Sequence, residues 1–400
     1  MLKKILKSYD YSLIAIIAML SIFGLVMVYS ASMAFAVHRY GVAPDHFFLK
    51  QRLFLLGGAV IFCFFAFFPY KIMRSTRFLV PMVLLSLAGL GGILVFGKVA
   101  GNAQSWYEVG GISIQPSEFA KLGVIIYLSA VYAKKQSYIN EFNKGVVPPL
   151  MYLVVICVLI MLQPDYGTAG IIMLIATFVI LSSGMNWKNI VKLIGVGAVL
   201  LTIFAIGFHD HIFSAERLER FTVLEDPFRD EQDEGFHLTN SLLAIGSGGV
   251  TGLGLGKGVQ KLGYLPESHT DFIIAVIAEE LGILGVSFVL FCLGFIVLKG
   301  IRIGMKCKDP FGSLLALGIS SMIGIQSVIN LAGVSGMIPL TGVPLPFVSY
   351  GGSSIIQLAI AAGILVNVSM FANYENKYKT KQAQSPPAVV PMREPIQARR

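Results

Sequence analysis

The reading of the fold starts from Gly263-Tyr264-Leu265-Pro266-Glu267-Ser268-His269-Thr270-Asp271-Phe272, which runs on into Ile273-Ile274-Ala275-Val276-Ile277-Ala278-Glu279-Glu280-Leu281-Gly282. A polar, glycine-rich segment here hands over to an apolar helix with an aspartate near its start and two glutamates further in. A carboxylate at the centre of a membrane helix costs roughly 2.5–3.5 kcal/mol on insertion scales, so acids in such places point to function. At about 100° per residue, Asp271, Ala275, Ala278 and Gly282 share one face. One acid followed by small side chains leaves room for something bulky along that face. The competing reading makes Asp271 a first-turn acid favoured by the helix dipole.

The chain around this stretch is apolar to match. Of 400 residues, 55% are hydrophobic and 13% charged, against about 25% charged in a soluble domain. Apolar runs recur from Tyr11 to Phe371, which sets the class as an all-α polytopic membrane protein. Spans fall near 11–31, 52–69, 78–96, 117–133, 148–163, 169–184, 190–208, 271–298, 312–332 and 353–372. A net charge of +9 raises nucleic acid as a partner, but the basic residues cluster between spans. Lys71, Arg74 and Arg77 form one group; Lys134, Lys135 and Lys144 another; Lys188 follows, then Lys299, Arg302, Lys306 and Lys308. Ten spans put both termini in the cytoplasm and every basic connection on that side, so the positive-inside rule explains the charge without nucleic acid.

Lys3, Lys4 and Lys7 before an apolar run, with Ala34-Phe35-Ala36 beyond it, resemble a secretory signal. The run from Tyr11 to Tyr29 is longer than the usual core of about 7–15 residues, which makes it a retained first span. Residues 1–10 are then a cytoplasmic N-terminus and 11–372 a ten-helix domain with a long extracellular loop at about 209–270. Residues 373–400, with Pro386-Pro387, Pro391 and Pro395, read as a disordered cytoplasmic tail. Cys63, Cys157, Cys292 and Cys307 imply neither a disulfide framework nor a metal site, and read as packing residues.

The outer connections hold the polar constellations. Gln115-Pro116-Ser117-Glu118-Phe119-Ala120-Lys121 opens the fourth span. Pro and an acid suit any helix start, yet Lys121 lies one turn deeper, where it pairs with Glu118 at i,i+3 and could line a polar cavity. Gln163-Pro164-Asp165-Tyr166-Gly167-Thr168 reads as a turn. Arg217 and Arg220 share a helical face and suit a phosphate, or an ion pair with the acids around them. The run Gly246 to Gly258, with Lys257 inside it, is not a P-loop; it is either a backbone nest for an anion or an irregular loop. Asn330, the prolines 339, 344 and 346, and Ser349-Tyr350-Gly351-Gly352-Ser353-Ser354 force broken backbone, with Ser353 and Ser354 placed to cap the last helix. His209-Asp210-His211 lacks a third metal ligand at helical spacing and reads as loop. These features share one side, which implies a cavity open to the outer leaflet.

The stretch from Tyr264 to Ile273, the Gln115-Pro116-Ser117-Glu118 helix start and the segment from Asn330 to Ser354 resemble the SEDS family (shape, elongation, division and sporulation). The likeness runs from about Tyr9 to Ala372 and is strongest to the cell-division branch. It implies a peptidoglycan glycosyltransferase that polymerises lipid II, an undecaprenyl-pyrophosphate disaccharide-pentapeptide, at the outer face of the plasma membrane during septal wall synthesis. Asp271 matches the family's essential aspartate, a general base for the attacking sugar hydroxyl in an inverting displacement. Glu118, Lys121, Arg217, Arg220, Lys257, His269, Ser353 and Ser354 are the candidate substrate-binding residues. The basic ones would neutralise the leaving pyrophosphate, with a divalent cation (Mg or Mn) as a possible aid and no organic cofactor. Basic neighbours would also oppose the effect of burial on the Asp271 pKa.

Partners implied by the resemblance are a class B penicillin-binding protein transpeptidase and other divisome membrane proteins. The alternatives are a lipid II flippase, or a polymerase of the elongation or sporulation branch. One departure from the family pattern is Gly235-Phe236-His237, where Gly-Tyr-Gln is common, and it leaves the role of His237 open.

Overall fold

The computed structural model describes residues 2–100, 103–141, 147–207, 223–224 and 234–379. In chain order the elements are α1 Leu2–Leu6, α2 Tyr11–Tyr40, α3 His46–Phe67, α4 Thr76–Phe96, β1 Lys98–Ala100, β2 Ala103–Val109 and β3 Ile112–Ile114. Then come α5 Pro116–Lys134, α6 Val147–Met161, α7 Tyr166–Ser182, α8 Trp187–Gly207, α9 Glu234–Gly248, α10 Ile273–Lys306, α11 Pro310–Val334 and α12 Gly352–Tyr374. Helices α2 to α8 and α10 to α12 lie on the apolar runs expected to span. Six of them (α2, α3, α4, α10, α11 and α12, the last extended to Tyr378) are long and apolar enough to cross a membrane on their own. The molecule is a polytopic helical membrane protein.

Local chemistry sets the helix ends. Asp10 caps α2 by accepting from Leu13 N–H, and Gly41 closes it with φ 62°. Asp165 caps α7 in the same way through Thr168 N–H. Pro116 and Pro310 occupy first-turn positions, where the missing N–H is harmless. The centre of the bundle is α11 and α12, whose most apolar eighteen-residue stretches are 67% and 78% buried, against 11% for α3 and α4. Exposed Leu53, Val60, Phe64, Leu84 and Leu85 give α3 and α4 an apolar outer surface suited to lipid tails.

At the lysine-rich end the helices are tied by buried polar side chains. Asn367 on α12 accepts from Tyr70 N–H (3.0 Å) and donates to the Ala66 carbonyl (2.6 Å). Lys299 pairs with Asp10 (3.1 Å) and Arg74 with Asp309 (3.4 Å).

Two features depart from expectation. The connection 97–116 folds into a small antiparallel sheet, with Lys98 opposite Trp106 and Glu108 opposite Ser113. The alternation in 103–109 is short and its β-branched content low, so the sequence signal was weak. Tyr107 OH bonds the Gly89 carbonyl (2.9 Å), which seats the sheet on α4. Secondly, α10 is not one rod: Gly282 (φ 62°, ψ −158°) breaks it two residues after Glu280.

Candidate active site

Asp271 lies in the turn just before α10, not within the helix, and its backbone is held from three directions. The carbonyls of His269, Thr270 and Asp271 each accept a bond, from Tyr350 N–H (2.9 Å), Ser349 Oγ (2.6 Å) and Asn330 Nδ2 (2.8 Å). Asn330 also donates to the Val343 carbonyl (2.8 Å), and Ser349 Oγ accepts from Leu345 N–H (2.8 Å). The broken segment 336–349 is thus stitched to the segment that carries the acid. A Cβ added to Gly342 would sit 3.6 Å from Asp271 Oδ2, so this glycine floors the carboxylate.

The carboxylate itself is treated differently from its backbone. Among the described residues no hydrogen bond or ion pair reaches it. Burial, and secondarily the charge of Glu267, pushes its pKa up to about 7. The expectation that basic neighbours would offset burial is therefore corrected for the described residues: desolvation wins and the nearest charge is another acid. Such a group is half-ionised near neutrality, as a general base requires.

The face Asp271–Ala275–Ala278–Gly282 was expected to be open for a bulky ligand. The structure fills it with the chain's own glycine-rich run: Ala275 and Ala278 are buried, and Gly282 abuts Val250 and Gly252. The break at Gly282 removes the bonds from Ile283 and Leu284 N–H back to Glu279 and Glu280. Those two N–H groups turn to the Gly249 (3.1 Å) and Val250 (3.5 Å) carbonyls, while Leu253 and Gly254 N–H donate to the Glu279 and Glu280 carbonyls (both 2.9 Å). Each backbone group freed at the break is thereby re-paired.

The glycine-rich run is a nest, and its anions are Glu279 and Glu280. Glu279 Oε1 accepts from Val259 (2.7 Å) and Gln260 (3.2 Å) N–H, and Glu280 Oε2 from Gly256 N–H (3.0 Å). Lys261, which the sequence reading passed over, pairs with Glu280 at 2.5 Å, with Ser30 Oγ 2.8 Å from the same ammonium. A lone lysine carries no sequence signal, and its α2 partner lies 231 residues away in the chain. Lys257, the expected anion ligand in this run, is exposed on its surface.

A second polar cluster sits at the start of α5. Lys121 donates to Glu118 at 2.6 Å with both side chains buried, and Glu118 Oε2 has no partner among the described residues. The pair is thus packed inside the bundle rather than standing at an exposed helix start. Asp165 lies within its field; burial raises the Asp165 pKa, Lys121 opposes the rise and Glu118 adds to it. Gln115 Nε2 approaches Asp165 Oδ2 at 3.4 Å. The cluster and Asp271 meet neighbouring residues of one loop, since Gly167 packs against Thr341 while Gly342 lies under Asp271.

Other expectations are relocated. Ser353 does not cap α12, whose N-cap is Gly351 with no side-chain bond. Ser353 Oγ instead accepts from Gln115 N–H and donates to the Ser113 carbonyl, both at 3.1 Å, joining α12 to α5 and the sheet. Ser354 is half-buried beside Gly351 and makes no such link among the described residues. His269 is buried among the rings of Phe35 (4.9 Å), Phe47 (4.6 Å) and Tyr350 (5.4 Å). Burial drops its pKa to about 4, so the ring is neutral, and its Nδ1 has no partner among the described residues. His237 stacks on Phe272 at 6.0 Å. Arg217, Arg220 and His209-Asp210-His211 lie outside the described residues.

The comparisons with known proteins agree with this geometry. The FtsW/RodA/SpoVE profile, described as cell cycle protein, matches residues 11–374. The chain is 56% identical over 389 residues to the probable peptidoglycan glycosyltransferase FtsW of Bacillus subtilis, covering 96% of each. It is 38% identical to stage V sporulation protein E of the same organism, over 92% of this chain and 98% of that one. Among solved structures, a chain of a peptidoglycan synthase complex that coordinates polymerization and crosslinking superposes with TM-score 0.71 at 25% identity, covering 91% of this chain and 98% of that one. The rod shape determining protein RodA of Thermus thermophilus gives TM-score 0.64 at 25% identity, over 92% and 98%. With one profile spanning nearly every helix described above, the chain belongs to the FtsW/RodA/SpoVE family of cell cycle proteins.

Proposed function

We propose that Asp271 is the general base of a lipid II polymerase working at the outer face of the plasma membrane during septal wall synthesis. The chain is a peptidoglycan glycosyltransferase that builds glycan strands. In the step we assign, an acceptor sugar hydroxyl attacks the anomeric carbon of the growing strand. The bond from that carbon to the pyrophosphate oxygen breaks with its electron pair, the configuration inverts, and the hydroxyl proton passes to Asp271. The observation that carries the reading is the contrast at Asp271: backbone fixed by three bonds, carboxylate unpaired among the described residues and poised at about 7.

Ten spans with both termini in the cytoplasm put Asp271, the α5 cluster and the 336–349 segment on the outer side, and the lysine-rich connections inside. Glu118, Lys121 and Asp165 shape the polar wall next to the base, and Arg217 and Arg220 are the candidates to neutralise the pyrophosphate. Magnesium is usually held by one or two carboxylates together with substrate phosphates. Glu267 and Asp271 are the nearby carboxylates that would hold such a cation, and it would supply charge neutralisation for the leaving group. The crosslinking partner we assign is a class B penicillin-binding protein; a structural relative belongs to a complex that couples polymerization to crosslinking.

The flippase reading would use the break in α10 as an ion-binding site, as transporters use broken helices. That break is already closed by Leu253 and Gly254 N–H and by Lys261, which favours the enzyme.

The test is polymerisation of fluorescent lipid II by purified protein with its transpeptidase partner. Asp271→Asn is expected to abolish polymer while leaving folding and partner binding intact. Full polymerisation by that variant rules out the base assignment. Translocation of lipid II in vesicles without polymer formation would establish the flippase instead.

A further inference from the structure

We propose that Lys261 and Glu280 are positioning residues for Asp271: their buried ion pair, seated on Ser30, clamps the far end of the arch that carries the base. The proposal rests on the reading of Asp271 given above. The arch is residues 261–271. Leu262, Gly263 and Tyr264 are exposed just after Lys261, and Leu265 then packs into the core, so the position of Asp271 depends on the points at which the arch is fastened.

Two points of the arch, Lys261 at its start and Ser268 three residues before Asp271, are fastened to consecutive residues of α2. Lys261 Nζ lies 2.8 Å from Ser30 Oγ, and Ser268 Oγ donates to the Ala31 carbonyl at 3.0 Å. Helix α2 is a continuous thirty-residue rod, so two adjacent anchor points on it fix the separation of Lys261 and Ser268, just before the backbone bonds that hold residues 269–271. The Lys261 end is the stronger anchor. Its ammonium is almost fully buried, meets Glu280 Oε1 at 2.5 Å, and shares that carboxylate with Ser30 Oγ (2.8 Å from Oε1, 2.7 Å from Oε2) and Gly256 N–H.

Glu280 in turn sits two residues before the break at Gly282, where the glycine-rich run and α10 exchange backbone bonds. The pair therefore locks three pieces at one point: α2, the α10 break and the arch. Glu279, the other acid facing this junction, is engaged by Val259 and Gln260 N–H, and so holds the run rather than the lysine. Nothing in the displacement chemistry needs Lys261 near the reacting atoms. A clamp gives this buried, fully engaged lysine a function that charge neutralisation alone does not.

The test separates a clamp from a mere charge balance. Lys261→Met leaves Glu280 buried and unpaired, so the double variant Lys261→Met/Glu280→Gln is made alongside it; glutamine keeps the acceptor for Gly256 N–H and Ser30 while removing the charge. Both are assayed on fluorescent lipid II with the transpeptidase partner, across pH. A misplaced base predicts a fall in kcat of about 100-fold in both variants with KM held within about threefold. The acid limb of the pH–rate profile is expected to move to lower pH as a loosened arch exposes Asp271 to water, although the double variant regains wild-type thermal stability. Wild-type kcat in the double variant, with Asp271→Asn inactive, overturns the clamp alone. A loss confined to KM overturns it too. An active Asp271→Asn takes down the base assignment and the clamp together.

Discussion

Asn330 holds Asp271 by its main chain and leaves its side chain alone. The Nδ2 group of Asn330 bridges the Asp271 and Val343 carbonyls at 2.8 Å each, joining the end of the arch to the loop that floors the carboxylate. Removing the amide orphans two carbonyls at once. Asn330→Ala is expected to destabilise the protein by about 1–3 kcal/mol and to lower kcat more than it changes KM. Thermal unfolding in detergent and steady-state polymerisation measure the two effects.

The rate should follow the ionisation of Asp271. With its pKa near 7, log kcat/KM is expected to rise with pH up to about 7 and then level off. Two neighbours move that limb in opposite directions. Glu267→Gln removes a nearby negative charge and shifts the limb to lower pH. Gly342→Ala places a methyl 3.6 Å from Oδ2 and shifts it to higher pH; because φ is +65° there, it also costs about 1 kcal/mol of stability. Rate profiles of the two variants, compared with wild type, check the signs.

Asp271 also sets a stability cost whose sign follows from its pKa. Between about pH 4 and 7 the unfolded chain has lost this proton and the folded chain keeps it, so stability falls as pH rises through that window. Asp271→Asn removes the penalty. The variant is expected to gain on the order of 1–3 kcal/mol at pH 8 and close to nothing at pH 4. Thermal melts at the two pH values test this; an equal gain at both would contradict the burial argument.

The sequence carried the helices and the acid well, because apolar length and a carboxylate beside an apolar run are local signals. Ten apolar runs became ten helices, and the motif from Tyr264 to Phe272 became the arch bearing Asp271. What stayed hidden was pairing across long separations. Ser30 with Glu280, Asn330 with Asp271 and Ser353 with Gln115 join residues that no periodicity links. The glycine-rich run was legible as either an anion nest or an irregular loop, but its occupants Glu279 and Glu280 were not, since they read only as two acids within the helix. Ser353 looked like a cap by spacing alone, yet it reaches out to α5 and β3 because Gly351 already starts the helix.

The α5 pair should respond unequally to loss of either partner. Lys121→Met leaves Glu118 and Asp165 as two buried acids without their cation, and is expected to cost about 3–5 kcal/mol. Glu118→Gln leaves Lys121 with Asp165, whose charge already feels that ammonium, and is expected to cost less. The double variant Glu118→Gln/Lys121→Met should recover part of the stability lost in Lys121→Met. If the pair also walls the cavity, polymerisation stays low in the double variant. Melting temperatures and polymer yield of the three proteins decide it.

The junction of the glycine-rich run with α10 leaves no space for a side chain. A Cβ on Gly282 would stand 2.5 Å from both Gly252 N and the Val250 carbonyl oxygen, and a Cβ on Gly252 would meet the Glu280 carbonyl. Both glycines also have positive φ, so strain adds to the clash. Gly252→Ala and Gly282→Ala are each expected to destabilise by about 3 kcal/mol or more and to lower the yield of monodisperse protein in detergent. Gly246→Ala, with open space at its Cβ in the last turns of α9, should leave both properties unchanged. Size-exclusion profiles and melts of the three variants check the contrast. A well-behaved Gly282→Ala protein would mean that α10 runs straight and that the four exchanged backbone bonds do not form.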